Sequence, residues 1–490
     1  MIEKHYIRGH EKAERHISMP STNKMVTIVA SHNVTPMPST NKMVTIVASH
    51  NVTPNQPTPN DPLWLSDSDQ IGNLRHVPCV YIYKAKHDKH VTERLINSLS
   101  KTLVHYYPVA GRLRLTKSGR MEVDCNAKGV TLLEAETTNT FADYGDFSPS
   151  ASTEELVPKV DYTQPIEDIP LVLVQLTRFH GGQGLAIGVV TSHPLTDATS
   201  MMPFVNNWAK VARGEELEPH EIPFLDRTVL KLPQQLSSPT VKLPEWKPVP
   251  QARGIEQRKR SAALFKLSSR QVEILRKKAN DKASKEGVRP YSRFEVIAAH
   301  IWRCASKARA SAHNSNQPTL VRFSVDIRSR LNPPLPQNYF GNALAKTVTP
   351  KCYEGDIISN PMSYAAQKIR EAVYVVTEEY IRSQLSVTLG KEQLDSIRAF
   401  FMGQGHRANV PYAGDHNILL TSWMGMPVYE ADFGWGKPMH YGLASTFQED
   451  RAAILPSSDG DGVAVTMFFQ TKLMQLFKIL LYEDLLVSSL

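Results

Sequence analysis

A chain of 490 residues is longer than one hydrophobic core normally serves, so two domains are expected. Hydrophobic residues at 41% and charged residues at 21% are ordinary for a globular protein, and no apolar run approaches the roughly 20 residues of a membrane span. The net charge of +8 would suit an anionic ligand, but the one dense basic run, "EQRKRS" at 256–261, has no interleaved aromatics and reads as a loop, which argues against nucleic acid.

Cys79, Cys125, Cys304 and Cys352 are far apart and form no CxxC pair, so neither a disulfide framework nor a metal site is expected. The polar start, "MIEKHYIRGHEKAERHISMP", lacks the apolar stretch of a signal peptide. A cytoplasmic protein is therefore expected, and the Asn33 and Asn51 glycosylation sequons are read as chance matches. "MPSTNKMVTIVASHNVTP" at 19–36 recurs unchanged at 37–54. Two copies are too few for a repeat architecture, so residues 1–42 read as a duplicated, poorly ordered extension.

In chain order, "MVTIVASHNV" and "CVYIYKA" (79–85) read as strands. Residues 91–107 form an amphipathic helix through Leu95, Ile96, Leu99 and Leu103, stopped by Pro108 and Gly111. "PLVLVQLTRF" and "GLAIGVVTS" flank "HGGQ" as a hairpin, and 199–214 returns to helical spacing through Met202, Val205, Trp208 and Val211. Residues 233–262 are Pro-rich, basic and aperiodic, the best linker candidate. Beyond it, helices near 269–285, 292–311 and 361–385 alternate with strands near 319–326, 343–348, 417–422 and 463–469. The class is α/β, with domains at 43–232 and 263–490.

"SHPLTDATS" at 192–200 places His193 and Asp197 four residues apart, with Pro194 between them. The residue before a proline is pushed out of the helical region, so His193 belongs to the strand end. Asp197 is a good N-cap type, so a helix starts there. The two side chains therefore do not stack on one helical face, which argues against a His–Asp relay.

"SHPLTDA" resembles the HxxxD motif of the plant BAHD acyl-CoA-dependent acyltransferases, and "ADFGWGKP" (431–438) carries their DFGWG signature. "YPVAGRL" (107–113), "SVDIRSRL" (324–331) and "NYFGNAL" (338–344) resemble further family segments in the same order, so the likeness runs from about residue 43 to the C-terminus. It implies two chloramphenicol-acetyltransferase-like domains, a crossover linker and an interfacial channel. His193 would be the general base, for which an imidazole pKa near 6.5 is suited. No acyl-enzyme is required, and no GxSxG elbow is found. No cofactor or metal is implied, only acyl-CoA as co-substrate.

The resemblance implies that Asp197 pairs with Arg328 or Arg330, and that Asp432, Gly434 and Trp435 hold loop structure. Thr421 and Trp423 in "LTSWMGMP" would line the acceptor side, with a positioned donor needed for the oxyanion. His76, Cys79 and Tyr81 would line the aromatic acyl pocket, with Cys79 where the family usually has Ser. Ser292 and Arg293 in "RPYSRFE" would lie near the CoA arm.

Shikimate-using members carry arginines where this chain has Ala408 and Gly425, with Arg407 one residue off. Losing a charge-assisted carboxylate contact costs about 1.5–3 kcal/mol. Asp415 enters the same loop, where an acid could hold an ammonium group. Together with the wording of the HxxxD and DFGWG segments, which is most like spermidine hydroxycinnamoyltransferases, this makes a polyamine acceptor the leading expectation. O-acylation of shikimate, quinate or another alcohol comes second, and a catalytically silent binding protein is a distant third. A monomer acting without nucleic acid or membrane is expected.

Overall fold

The computed structural model describes residues 43–70, 74–85, 89–232, 240–241, 243, 259–281, 289–312, 317–386, 395, 397, 416–447 and 450–485. The proposed extension, 1–42, and Asp415 lie outside them.

The first half opens with β1 (Val44–Val52), which comes from the second copy of the repeat. β2 (Leu63–Trp64) and the short helix α1 (Asp67–Gln70) lead to β3 (His76–Tyr83). α2 (Val91–His105) buries Leu95, Leu99 and Leu103 on one face. It gives way at Pro108, which has no N–H to continue the helix, to a 3-10 turn over Tyr107–Ala110. β4 (Arg112–Leu115) and β5 (Met121–Asp124) form a small sheet with β2. β6 (Val130–Thr137) and α3 (Ala151–Glu154) follow. The expected hairpin is β7 (Val172–Arg178) and β8 (Leu185–Ser192), antiparallel, turning through Gly181 and Gly182 at φ 67° and 68°, where a side chain would be strained. α4 (Ala198–Ala212) completes this half.

The second half begins with β9 (Arg260–Leu267), which starts inside the stretch read as linker. α5 (Ser269–Asn280), α6 (Arg293–Ala310), β10 (Pro318–Thr319), β11 (Val321–Asp326), β12 (Leu344–Val348), β13 (Cys352–Tyr353) and α7 (Glu354–Ser359) follow. The helix expected over 361–385 is two, α8 (Met362–Tyr374) and α9 (Glu378–Ser386), separated where the chain leaves helical geometry before Thr377. The chain then runs through β14 (Ile418–Ser422), β15 (His440–Leu443), β16 (Arg451–Pro456), β17 (Val463–Gln470) and α10 (Thr471–Glu483).

Two six-stranded mixed sheets result, ordered β1-β6-β7-β8-β3-β15 and β12-β11-β14-β16-β17-β9. All eight residues of β8 are buried, as a central strand covered on both faces requires. α2 and α4 pack together on the first sheet, where Trp208 donates its indole N–H to Leu95 O at 3.2 Å and to Ser98 Oγ at 3.0 Å. α6, packed against α8 and α10, backs the second sheet.

The division at 232/263 is not the division of the sheets. β15, from the second half, pairs antiparallel with β3, setting Tyr441 opposite Tyr81 and Leu443 opposite Cys79. Trp423, Val428, Phe433 and Tyr441 likewise join the core of the first sheet.

Candidate active site

A cavity of about 410 Å³ lies between the two sheets and is lined from both. Side chains alternate across a strand, so Val77, Cys79 and Tyr81 of β3 line it with Thr191 of β8. Arg322 and Ser324 of β11, Lys346 of β12 and Thr421 of β14 line the opposite wall.

His193 is the residue after β8. Its N–H still donates to Arg75 O at 3.3 Å, and then the chain turns sharply, with Leu195 N–H on Ser192 O at 3.0 Å and Thr196 N–H on His193 O at 3.2 Å. The ring is half-buried and lines the cavity. Its Nδ1 is buried inside the turn. Burial lowers the imidazole pKa below its usual value; its own backbone carbonyl, Asp197 and the Asn342 side chain oppose this, and Lys346 adds to it. At neutral pH the ring is neutral, the form that accepts a proton.

Asp197 is the N-cap of α4, accepting Ser200 N–H at 3.0 Å. Its carboxylate receives both ends of Arg328, Nη1–H on Oδ2 at 3.0 Å and Nη2–H on Oδ1 at 2.9 Å, and also Ala343 N–H at 2.9 Å. Arg328 is thus the partner. Arg330 is not; its guanidinium donates to Val373 O and Val376 O at 3.0 and 2.8 Å, tying down the end of α8.

The three acyl-pocket candidates meet at the cavity, but with different capacities. His76 has both ring nitrogens engaged, Nε2 with Pro170 O at 2.8 Å and Nδ1 with Tyr162 Oη at 2.9 Å, so it offers a ligand its ring face rather than a hydrogen bond. Burial lowers its pKa to about 4. Cys79 is pushed up to about 12 by burial, with Tyr441 beside it opposing. Tyr81 directs its hydroxyl to Met202 Sδ at 3.5 Å and packs on the Tyr441 ring at 4.6 Å. Tyr441 adds an aromatic wall that the sequence does not announce, because its four-residue strand carries no period of its own.

Thr421 and Trp423 both line the cavity, as expected. The Thr421 side chain has no hydrogen-bond partner among the described residues and is half-buried, so its hydroxyl can meet a developing oxyanion. Ser292 and Arg293 do not enter the cavity. Ser292 is the N-cap of α6, its hydroxyl accepting Glu295 N–H at 3.3 Å, and both residues are exposed. The cavity walls carry Arg75, Arg322, Lys346 and Arg451 against Asp197 and Asp326, and Arg328 binds both acids.

The DFGWG segment is a turn docked outside the cavity. Asp432 Oδ1 accepts Gly434 N–H at 2.8 Å and Gly436 N–H at 2.9 Å, and both glycines have φ 100°. Trp435 stacks on Phe433 at 5.5 Å and carries the Arg94 guanidinium over its face at 5.2 Å. No described helix is long and apolar enough to cross a membrane.

Crystallised proteins share this architecture: vinorine synthase, 22% identical, superposes with a TM-score of 0.66 over 90% of this chain and 98% of its own. TRI101 from F. sporotrichioides, solved with coenzyme A and T-2, gives 0.68 over 85% and 97% at 17% identity. The fold is that of the acyl-CoA-dependent acyltransferases built from two chloramphenicol-acetyltransferase-like domains. Residues 42–483 match the profile of the Transferase family, and the chain belongs to it, as one of the BAHD acyltransferases. It is 38% identical over 445 residues to the hydroxycinnamoyl-CoA:piscidic acid hydroxycinnamoyltransferase of Actaea racemosa, covering 88% of this chain and 97% of that one. It is 36% identical to the shikimate O-hydroxycinnamoyltransferase of Nicotiana tabacum and 33% to a 5-hydroxyanthranilate N-hydroxycinnamoyltransferase of Avena sativa, covering 87% of this chain and 96% of each relative.

Proposed function

We propose that this chain moves a hydroxycinnamoyl group from its CoA thioester to the hydroxyl or amine of a carboxylate-bearing acceptor, with His193 as the general base. The observation that carries the chemistry is the parting of His193 from Asp197: the acid is bound to Arg328, and the imidazole lines the cavity in its neutral form. In the reaction, Nε2 takes the proton of the acceptor O–H or N–H while that atom attacks the thioester carbonyl. The tetrahedral oxyanion forms within reach of the wall that carries Thr421. The C–S bond then breaks, and the leaving thiolate recovers the proton from the imidazolium, giving an ester or amide and free CoA.

The acceptor reading follows the walls. Arg75, Arg322, Lys346 and Arg451 line the cavity with Asp197 and Asp326, so cationic side chains outnumber acidic ones on its walls, which supports an anionic ligand. The phosphates of CoA draw on the same sign of charge. Three relatives are named for acids, piscidic acid, shikimate and 5-hydroxyanthranilate, and this supports the same class here. A polyamine such as spermidine is the second reading. Its support is the wording of the motif segments and the Asp326 carboxylate, which lines the cavity with a side chain 41% exposed.

Thiol release from coumaroyl-CoA, measured in parallel with shikimate, quinate, a hydroxyanthranilate and spermidine, tests this. Turnover confined to the acids is expected. Turnover with spermidine alone overturns the acceptor assignment and leaves the chemistry standing, whereas silence with every acceptor and every arylpropenoyl-CoA removes the whole proposal.

A further inference from the structure

Asp69 and Arg227 are charged residues with wholly buried side chains, 0% exposed, and the acyl-transfer chemistry above uses neither. Arg227 Nη1 lies 3.1 Å from Asp69 Oδ1, in ion contact rather than in line for a hydrogen bond. The carboxylate is otherwise saturated. Oδ2 accepts Ser66 N–H at 2.8 Å and Ser66 Oγ–H at 2.7 Å; Oδ1 accepts Asn342 N–H at 2.8 Å and Asn342 Nδ2–H at 2.9 Å.

The donors around this pair face the catalytic turn. Asn342 Nδ2, whose one hydrogen is on Asp69, also donates to His193 O at 2.9 Å. Arg227 Nη2 donates to Leu195 O at 2.6 Å. The carbonyls on either side of Pro194 are therefore each held by a donor whose other contact is Asp69. Asn342 comes from the second half of the chain, between β11 and β12, so the same bonds fix the histidine relative to the opposite wall of the cavity.

We infer that Asp69, acting through Asn342 and Arg227, is a positioning residue that sets the His193 ring against the substrate. A buried ion pair is a poor stabiliser, since desolvation offsets much of its attraction and apolar replacements are often neutral. Geometry is what this one supplies. Removing it lets the turn shift, and a displacement of about 1 Å at a reacting group slows chemistry by up to about a hundredfold.

The inference rests on His193 being the base, so His193→Ala runs alongside: full turnover in that variant ends the base assignment and this inference with it. The principal test is the paired variant Asp69→Asn/Arg227→Met, which leaves no orphan charge. Single-turnover acyl transfer and KM for the CoA thioester are measured with whichever acyl-CoA the wild type accepts. A ten- to hundredfold slower transfer, with KM within about twofold and a near-native melting temperature, is the expected result. A folded paired variant with the wild-type rate, or one whose loss lies wholly in KM, overturns it. Should the paired variant fail to fold, Asn342→Ala decides: it removes the bond to the His193 carbonyl and leaves the ion pair, so slowed transfer at unchanged KM supports the inference and a wild-type rate overturns it.

Discussion

The Asp197 carboxylate engages both ends of the Arg328 guanidinium, at 2.9 and 3.0 Å, and makes no hydrogen bond to His193. The side chains are 2% and 12% exposed, so truncating either strands the other in a poor solvent. Asp197→Ala and Arg328→Ala should each cost about 3–5 kcal/mol of stability. Thermal melts check the size of the loss. The soluble fraction should keep the wild-type acidic limb of kcat/KM against pH. Movement of that limb without loss of stability would make Asp197 a relay after all.

Activity should persist into more acidic solution than an ordinary histidine allows. Burial lowers the His193 pKa below 6.5, so the ring stays neutral and able to accept a proton as pH falls through that value. The acidic limb of kcat/KM should therefore fall below pH 6.5 and vanish with His193→Ala. A limb at or above the model-peptide value contradicts the burial argument.

Folding stability should weaken over the same range for a different reason. His300 is 1% exposed, gives its Nε2 to Leu481 O at 2.8 Å, and has its pKa lowered by burial to about 4. Between 6.5 and 4 the unfolded chain binds a proton that the folded one refuses. Stability is thus lost as pH falls through that window, by roughly 3 kcal/mol in all for this group. Denaturant titrations at several pH values should show a shallower fall for His300→Gln than for the wild type.

What was legible in the residues was whatever imposed a period or a steric rule. The i, i+4, i+8 leucines of α2 and the unbroken apolar run of β8 announce buried elements, and Pro194 excludes a helical His193. β15 has four residues and no period of its own; its place comes from β3, far upstream, and only tertiary pairing reveals it. Asp69 was hidden for the opposite reason. In "LSDSDQ" it reads as one more polar residue of a surface turn, and nothing local shows that Arg227 and Asn342 converge on it. The choice between Arg328 and Arg330 had the same character, since two residues of spacing send the side chains to different partners.

The DFGWG turn should prove to be scaffold. Gly434 sits at φ 100°, where a Cβ would meet only Arg213 Cγ at 3.7 Å, so substitution is opposed by backbone strain rather than by crowding. Gly434→Ala should cost about 1–2 kcal/mol. Asp432→Ala, which frees two backbone N–H groups, should cost a similar amount. Neither residue lines the cavity, so KM for both substrates should be unchanged in the folded protein. A selective rise in KM for the CoA thioester would place the turn at the donor site instead.

Cys79 lines the cavity but should behave as an inert wall. Burial raises its pKa to about 12, and only the thiolate attacks an alkylating reagent. Near pH 8 its thiolate fraction is roughly a thousandfold below that of an ordinary cysteine with a pKa of about 8.5. Burial also raises Cys125, Cys304 and Cys352, and all four cysteines are free thiols. Iodoacetamide should therefore leave turnover intact over times that fully alkylate the denatured chain, and a chromogenic disulfide should count four thiols only after unfolding. Cys79→Ser, with a hydroxyl of similar size in the same pocket, should retain transfer and sharpen any preference for ring-hydroxylated acyl groups, because a hydroxyl is the stronger hydrogen-bonding group. Rapid inactivation that acyl-CoA prevents would show instead that Cys79 is ionised and reachable in the folded enzyme.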